Sequence, residues 1–188
     1  MDANDLLKEV EKENKMKEGN ISLILDGYND LFSDFDPRSY SEKALSDDFL
    51  VECKRAARDR VIDEKGFELR LLVPKGKRNL NDEAKIKKRL RTHFIKHYHE
   101  KIEDIKKTKF EGWRWFFLGI LFMLFATFIY KYIGVNFFFN LLFIISEPAG
   151  WFSFWSGLDK VFIYAREKNP DMEFYHKMSS AEVTFFSY

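Results

Sequence analysis

A glutamate followed by a proline, Glu147-Pro148, lies inside a long apolar run and is the residue pair best suited to chemistry there. On a helical wheel, Asn136 and Asn140 fall within about 40° of Glu147. A carboxylate in an apolar segment is costly and marks a candidate ion or proton site. Pro148 removes a backbone N–H and disfavours helical geometry at Glu147, which predicts a kink. The alternative is that Glu147 is protonated and hydrogen-bonds across a helix interface.

Small residues recur along the same apolar run. They stand at helical spacing near the side that carries the glutamate: Ser146, Gly150, Ser153 and Gly157. Membrane helices pack by letting small residues bring two backbones close together. The pattern therefore predicts that this face meets another helix rather than lipid.

The connection over residues 27–45 carries the second group of candidate residues. Connections of this length in small domains are usually functional or disordered, and this one is rich in aromatic residues. Its aspartates, Asp30, Asp34 and Asp36, are candidate oxygen ligands for Mg²⁺ or Ca²⁺, and together with Arg38 they form a possible ligand-binding loop. However, the spacing lacks the glycine and closing glutamate of an EF-hand. Turns and caps explain each aspartate more simply, with residues 36–38 as a rigid turn.

Other metal or catalytic motifs are weak in this sequence. His93 and His97 stand one helical turn apart, which suits zinc, but no partner motif accompanies them and a solvated basic helix face explains them better. Cys53 is the only cysteine, so the sequence has no disulfide framework. It contains no phosphate-binding glycine loop, nucleophile elbow or kinase motif. We therefore expect no catalytic residue, no metal and no cofactor, and we do not expect an enzyme.

Two apolar runs within residues 112–163 predict a pair of membrane-spanning helices. The runs cover residues 113–131 and 135–158, and the break between them is too short for a folded loop. Eighteen helical residues rise about 27 Å, close to the roughly 30 Å of a bilayer's hydrocarbon core. Tryptophans at one end and tyrosines at the other suit the two interfaces. A buried core hairpin is the alternative, but 188 residues leave little room to bury so many phenylalanines.

Lysine and arginine are distributed unevenly around the hairpin. The net charge of +1 divides into −6 for residues 1–74, +8 for residues 75–109 and −1 for residues 110–188. The positive-inside rule then predicts a multi-pass protein of the inner (cytoplasmic) membrane with both termini in the cytoplasm. Basic residues beside the first span are expected to bind lipid headgroups at about 1 kcal/mol each: Lys106, Lys107, Lys109 and Arg114. The membrane explains this basic block, so we expect no nucleic-acid partner.

The cytoplasmic part alternates strand and helix patterns. Residues 20–26 and 67–73 alternate apolar and polar side chains, as half-buried strands do. Between them, Ser46 suits the N-cap of a helix that runs to about Val61. This spacing predicts a right-handed βαβ unit with parallel strands over residues 19–80. Residues 181–188 alternate again and predict a third strand that completes the sheet.

The remaining segments are predicted from charge and periodicity. Residues 1–18 are expected to form a charged N-terminal arm or helix. Residues 81–111 predict a basic amphipathic helix that couples the domain to the first span, with a bend near Gly112. Residues 164–188 form a cytoplasmic C-terminal segment. The predicted fold class is an α+β membrane protein: a two-helix transmembrane hairpin plus a small cytoplasmic βαβ-containing domain completed by a C-terminal strand.

Two stretches of the chain resemble a protein family. The sequence FSDFDPR within residues 31–50 and the sequence EPAGW within residues 147–159 are similar to segments of small, uncharacterised prokaryotic two-span membrane proteins. The resemblance covers the loop, the second span and, loosely, the C-terminal strand. It implies the same architecture and a loop that is a family feature, and it implies no activity.

Three functions from different classes fit these patterns. A homo-oligomeric membrane scaffold or interaction protein is favoured by the small-residue face, the small domain and the long coupling helix. Its partners would be lipid, further copies of the chain and an unknown protein. An ion- or proton-conducting oligomer would arrange Glu147 around an axis, so that Glu147→Gln changes flux without changing assembly. A cytoplasmic ligand or metal sensor would use loop 27–45.

Overall fold

The computed structural model describes residues 20–58 and 67–188. The described residues divide into two compact units, one comprising those up to Tyr98 together with Glu173–Tyr188 and the other His99–Met172. The predicted N-terminal arm, residues 1–18, and the predicted helix end near Val61 lie outside the described residues.

The described elements are three strands and four longer helices. The strands are β1 (Asn20–Ile24), β2 (Glu68–Val73) and β3 (Glu182–Ser187). The helices are α1 (Asp47–Ala57), α2 (Leu80–Tyr130), α3 (Phe137–Asp159) and α4 (Asn169–Ser180). A π-helical stretch, Lys160–Tyr164, and a short helical turn, Ala165–Glu167, follow α3.

The first unit is built on an all-parallel sheet in the order β1-β2-β3. Across the sheet, Ile21 stands beside Leu69, and Leu69 beside Val183. This register keeps one row of apolar side chains on the same face of all three strands. The predicted parallel strands and the predicted C-terminal strand are confirmed, with ends that differ by one or two residues.

One face of the sheet is packed against helices. Its buried strand residues share a single apolar core with residues from α1, α2 and α4: Phe49, Cys53, Ala57, Ile86, Leu90, Phe94, Phe174 and Met178. The helix α4 was not predicted, because its few apolar residues stand in a short and mostly polar segment, and only two of the apolar ones, Phe174 and Met178, are buried. These two residues nevertheless complete the core beside Phe94.

Within residues 20–58 and 67–188, the other face of the sheet leaves apolar side chains exposed. Ile24 is 72 % exposed and Phe186 is 45 % exposed, while Leu72 between them is half-buried. When parallel strands follow one another across a sheet in chain order, right-handed crossovers place both connecting segments on the same face. The connections then leave the opposite face uncovered. Parallel sheets are ordinarily covered on both faces, so this uncovered face is unusual.

The second unit contains a helical hairpin formed by the apolar part of α2 and by α3. Both helices are long and apolar enough to cross a membrane, and only 22 % and 17 % of their most apolar windows are buried. The core helix of a soluble protein would be mostly buried. The helix α2 is assigned without interruption over 51 residues, and the expected bend near Gly112 stays a prediction.

Candidate functional site

Glycines set the distance between the two helices of the hairpin. A Cβ atom added to Gly119 would lie 2.7 Å from the Cα of Phe154, and one added to Gly150 would lie 2.9 Å from the Cγ of Met123. At Gly157 an added Cβ would meet the backbone nitrogen of Phe116. Only glycine allows backbones this close, as in small-residue packing between membrane helices.

The four small residues predicted to pack a helix are all buried at this seam. Gly150 and Gly157 approach α2 of the same chain, and Ser146 and Ser153 are 5 % and 4 % exposed. The small-residue face is therefore filled within the hairpin. It leaves no small-residue groove on α3 for a further copy, which removes one argument that had favoured an oligomer.

Glu147 lies beside this seam and is exposed. It lines a cavity of about 280 Å³ together with residues of both helices: Met123, Ala126, Thr127, Tyr130, Phe143 and Trp151. The three residues from α3, Phe143, Glu147 and Trp151, stand four residues apart and so share one helical face. That spacing was the available sequence signal for the aromatic residues of this cavity, and the sequence analysis missed it.

The polar groups of this Glu147 cavity are few. Thr127 Oγ1 donates to the carbonyl of Met123 in its own helix at 2.9 Å, so its proton is already used. The Tyr130 ring packs against Phe143, with ring centroids 5.8 Å apart. Among the described residues, Glu147 has no hydrogen bond or ion pair. The site therefore combines one unpartnered carboxyl group with three aromatic rings.

The two asparagines predicted beside Glu147 lie elsewhere. Asn136 is the N-cap of α3, and its side chain accepts from the backbone N–H of Phe139 at 3.2 Å. Asn140 Oδ1 accepts from the backbone N–H of Gly134 at 2.9 Å. Both side chains hold the turn between the helices, where Gly134 has a φ of 86°. Neither asparagine lines the Glu147 cavity, and the hydrogen bonds of both are with the turn rather than with Glu147.

Pro148 lies inside α3, which continues as helix on both sides of it. The free carbonyl and kink expected at this proline stay predictions.

The aspartates of loop 27–45 are used mainly inside the loop itself. Asp30 Oδ2 accepts from the backbone N–H groups of Asp26 and Gly27 at 2.7 and 3.1 Å. Asp36 pairs with Arg38 at 2.7 Å and accepts from the backbone N–H of Ala44 at 2.7 Å. The Arg38 guanidinium and the Ala44 N–H hold the pKa of Asp36 far below its usual range. Turn and cap roles account for both carboxylates, and Asp34 is exposed.

His93 and His97 are half-buried and do not form a solvated face, which corrects the prediction. His93 is half-buried, and its Nε2 is buried without a hydrogen-bond partner. Burial, with the positive potential of His97, Arg89 and Lys96, lowers the pKa of His93 to about 4. The His97 ring lies 4.2 Å from that of His93 and stacks on Tyr175. Within residues 20–58 and 67–188, no three His, Cys, Asp or Glu side chains group as a metal site.

The basic residues predicted to contact lipid headgroups are all exposed: Lys106, Lys107, Lys109 and Arg114. Arg114 lines a cavity of about 660 Å³ together with Glu111 and Trp115 of α2. The lone cysteine, Cys53, is buried in the core of the first unit, and burial raises the pKa of its thiol. A buried neutral thiol is unreactive, so Cys53 is a packing residue.

No protein-family profile, no curated protein and no solved structure matches this chain. The resemblance of the loop and of the second span to two-span membrane proteins therefore stays a prediction.

Proposed function

We propose that this chain is an integral membrane protein whose hairpin crosses the inner (cytoplasmic) membrane twice. The outer surface of the hairpin supports this. Large apolar side chains of both helices are at least 60 % exposed: Phe117, Leu121, Leu124, Phe128, Phe137, Phe138, Ile144 and Phe152. A contiguous apolar surface of this extent is unfavourable in water, whereas the hydrocarbon of a bilayer covers it.

Both termini are proposed to face the cytoplasm. The strongly basic stretch before the first span supports this orientation, because lysine and arginine accumulate on the cytoplasmic side. Lys106, Lys107, Lys109 and Arg114 would then lie among anionic headgroups. Lys131 is the one basic residue of the hairpin tip, at the opposite end.

The orientation can be tested with single cysteines. In a Cys53→Ala background, Lys131→Cys is expected to react with a membrane-impermeant maleimide added to intact cells. Lys109→Cys in the same background is the matched control, and it is expected to react only after the cells are opened. Labelling of both positions in intact cells would contradict the orientation, and release of the protein by alkaline carbonate would contradict membrane insertion.

We further propose that the protein acts as a homo-oligomeric membrane scaffold or interaction protein. The exposed sheet face supports this proposal in place of the small-residue face. Its apolar row, Ile24, Leu72 and Phe186, is flanked by the Glu68–Arg70 pair, whose N–O distance is 2.7 Å. An apolar centre with a polar rim is the usual anatomy of a protein interface. A second copy would cover the face that parallel sheets ordinarily bury.

Native mass spectrometry of the full-length protein in mild detergent tests the oligomer. We expect a species larger than a monomer, and a shift towards the monomer in the double variant Ile24→Ser, Phe186→Ser. Phe35→Ser is the matched control, because Phe35 is 97 % exposed on a loop away from the sheet strands. A monomeric wild-type protein would contradict the scaffold proposal. An oligomer unchanged by the double variant would remove the sheet face from it.

A second candidate function is ion or proton handling at Glu147. The unpartnered carboxyl group in a cavity supports it, since ionisable groups within a membrane are functional candidates by default. Flux measured in proteoliposomes should then fall in Glu147→Gln while the oligomeric state stays the same. Dissociation of the oligomer by this variant would instead identify Glu147 as a packing residue. The sensor function of loop 27–45 has less support, because Asp30 and Asp36 serve the loop's own turns.

A further inference from the structure

We propose that the Glu147 cavity binds an organic cation, of the class of small substituted ammonium ions. This inference rests on the proposed membrane insertion and deepens the second candidate function. It names the ligand chemistry of the same site, and it does not depend on the oligomer.

The lining of the cavity matches this ligand in charge and in surface. Glu147 supplies the only acidic side chain in the lining, and Tyr130, Phe143 and Trp151 supply aromatic rings. Aromatic faces attract ammonium groups through the ring quadrupole, most strongly for tryptophan and most strongly where water is excluded. A carboxylate and aromatic rings around one cavity therefore favour an organic cation over a neutral ligand.

The cavity is poorly suited to an inorganic cation. A bound metal ion needs about six oxygen ligands to replace its water. The side-chain oxygens of this lining come only from Glu147, Tyr130 and Thr127, and the hydroxyl proton of Thr127 is committed to the carbonyl of Met123. An organic ammonium ion is weakly hydrated and gives up its water more cheaply. The shortage of oxygen ligands therefore selects against Na⁺ or Mg²⁺.

The depth of the site selects against a lipid headgroup as the source of the ammonium. Glu147 lies ten residues after the start of α3, which is about 15 Å of helix from that end. That is close to the middle of a hydrocarbon core of roughly 30 Å. Headgroups stay at the interface, so the ligand is a free cation with enough apolar surface to enter the membrane.

The volume of the cavity sets an upper limit on the ligand. At about 280 Å³ it lies at the small end of ligand sites, which span roughly 300–1,000 Å³. Benzyltrimethylammonium is a suitable probe, because it joins a trimethylammonium group to one aromatic ring. Its uncharged isostere, neopentylbenzene, has nearly the same shape and is the matched neutral probe.

Isothermal titration calorimetry of the full-length protein in detergent micelles tests the proposal. We expect saturable binding of benzyltrimethylammonium, weakened about tenfold or more by Glu147→Gln and about threefold or more by Trp151→Leu. Matched controls are Glu111→Gln and Trp115→Leu, which change the same residue types outside the cavity. Both control variants should bind benzyltrimethylammonium with the affinity of the wild-type protein. The affinity for neopentylbenzene should be the same for the wild-type protein and for Glu147→Gln.

Each other outcome overturns the proposal in a distinct way. Equal affinity of the wild-type protein and Glu147→Gln would mean that the carboxyl group does not recognise the cation. If NaCl reduced the binding of benzyltrimethylammonium more than choline chloride does at equal ionic strength, the cavity would be an inorganic cation site. Absence of binding together with a change of oligomeric state in Glu147→Gln would identify a second copy as the occupant. Membrane insertion is measured separately by the carbonate and maleimide experiments, so its failure is distinguishable from failure of the cation site.

Discussion

The hydroxyl of Tyr28 donates a hydrogen bond of 2.9 Å to Glu83 Oε1, which joins the start of loop 27–45 to the first turn of α2. The same carboxylate accepts two bonds from Arg78, at 2.8 and 2.9 Å. Tyr28 in turn accepts from the backbone N–H of Asn79 at 2.8 Å. Glu83 is only 4 % exposed, so these bonds satisfy a charge that would otherwise be costly to bury.

Glu83→Gln is therefore expected to destabilise the protein. The change removes the charge that Arg78 and Tyr28 both face, and it leaves a partly buried guanidinium without its partner. We expect a loss of about 2–3 kcal/mol in the free energy of unfolding, measured by urea titration. Glu52→Gln is the matched control, because Glu52 pairs with Arg55 on the exposed surface at 2.9 Å. It should cost less than about 1 kcal/mol, and equal costs would contradict the role of the Glu83 network.

Acid should weaken the same network. The Arg78 guanidinium holds the pKa of Glu83 below its usual value of 4.5. Below that value the unfolded chain binds more protons than the folded one, so the stability from this carboxylate is lost as the pH falls further. Chemical denaturation between pH 5 and pH 3 should show a steeper decline for the wild-type protein than for Glu83→Gln.

His93 should produce a second loss of stability at a higher pH. Burial lowers the pKa of His93 from 6.5 to about 4, so the folded protein keeps this ring neutral where the unfolded chain protonates it. The neutral His93 ring therefore adds to the free energy of unfolding, and this addition is complete above pH 6.5. It is lost as the pH falls from 6.5 towards 4, which lowers the free energy of unfolding by up to about 3 kcal/mol. Urea titrations at pH 7 and pH 5 measure the difference.

Two variants identify the group responsible for that loss. His93→Leu should reduce the stability difference between pH 7 and pH 5, because the titrating ring is gone. His99→Gln is the control, since His99 is exposed on the same helix, and it should keep the wild-type difference. Retention of the full difference in His93→Leu would assign it to another group.

Gly157→Ala should loosen the hairpin. The added methyl group would meet the Phe116 backbone and would lie 2.7 Å from the carbonyl oxygen of Gly112, neither of which is the end of a flexible side chain. Overpacking of this kind costs about 1–3 kcal/mol. Gly76→Ala is the control, because nothing lies within 4 Å of the position of its added Cβ. Thermal unfolding in detergent should separate the two variants, and equal melting temperatures would argue against close packing at Gly157.

Asn140→Ala should destabilise the turn of the hairpin and leave the Glu147 cavity unchanged. The variant removes the acceptor of the Gly134 N–H, at a cost of about 1 kcal/mol. Benzyltrimethylammonium affinity should stay at the wild-type value. A loss of affinity comparable to that of Glu147→Gln would restore Asn140 to the site.

Local patterns were sufficient to predict the three strands and the two apolar helices, although not the helix α4. Alternation of apolar residues identified all three strands, and two apolar runs identified the hairpin, because each signal depends only on neighbours along the chain. The carboxylate at Glu147 was also evident from sequence, since a charge within an apolar run is conspicuous. The helix α4 was missed because its two core residues are too few to establish a period.

Only the tertiary structure decided which groups meet. Two outcomes depend on how the two helices are rotated and aligned against each other. The first is whether the small residues of α3 contact α2 or another copy, and the second is whether Asn140 contacts Glu147 or Gly134. That alignment is set by close backbone contacts at Gly119, Gly150 and Gly157, which no single-helix pattern contains. The burial of His93 and the aromatic lining around Glu147 follow from the same kind of contact between elements distant in sequence. The sequence alone determined the two long apolar helices, the strands and the charge asymmetry, whereas packing decided which residues line the Glu147 cavity.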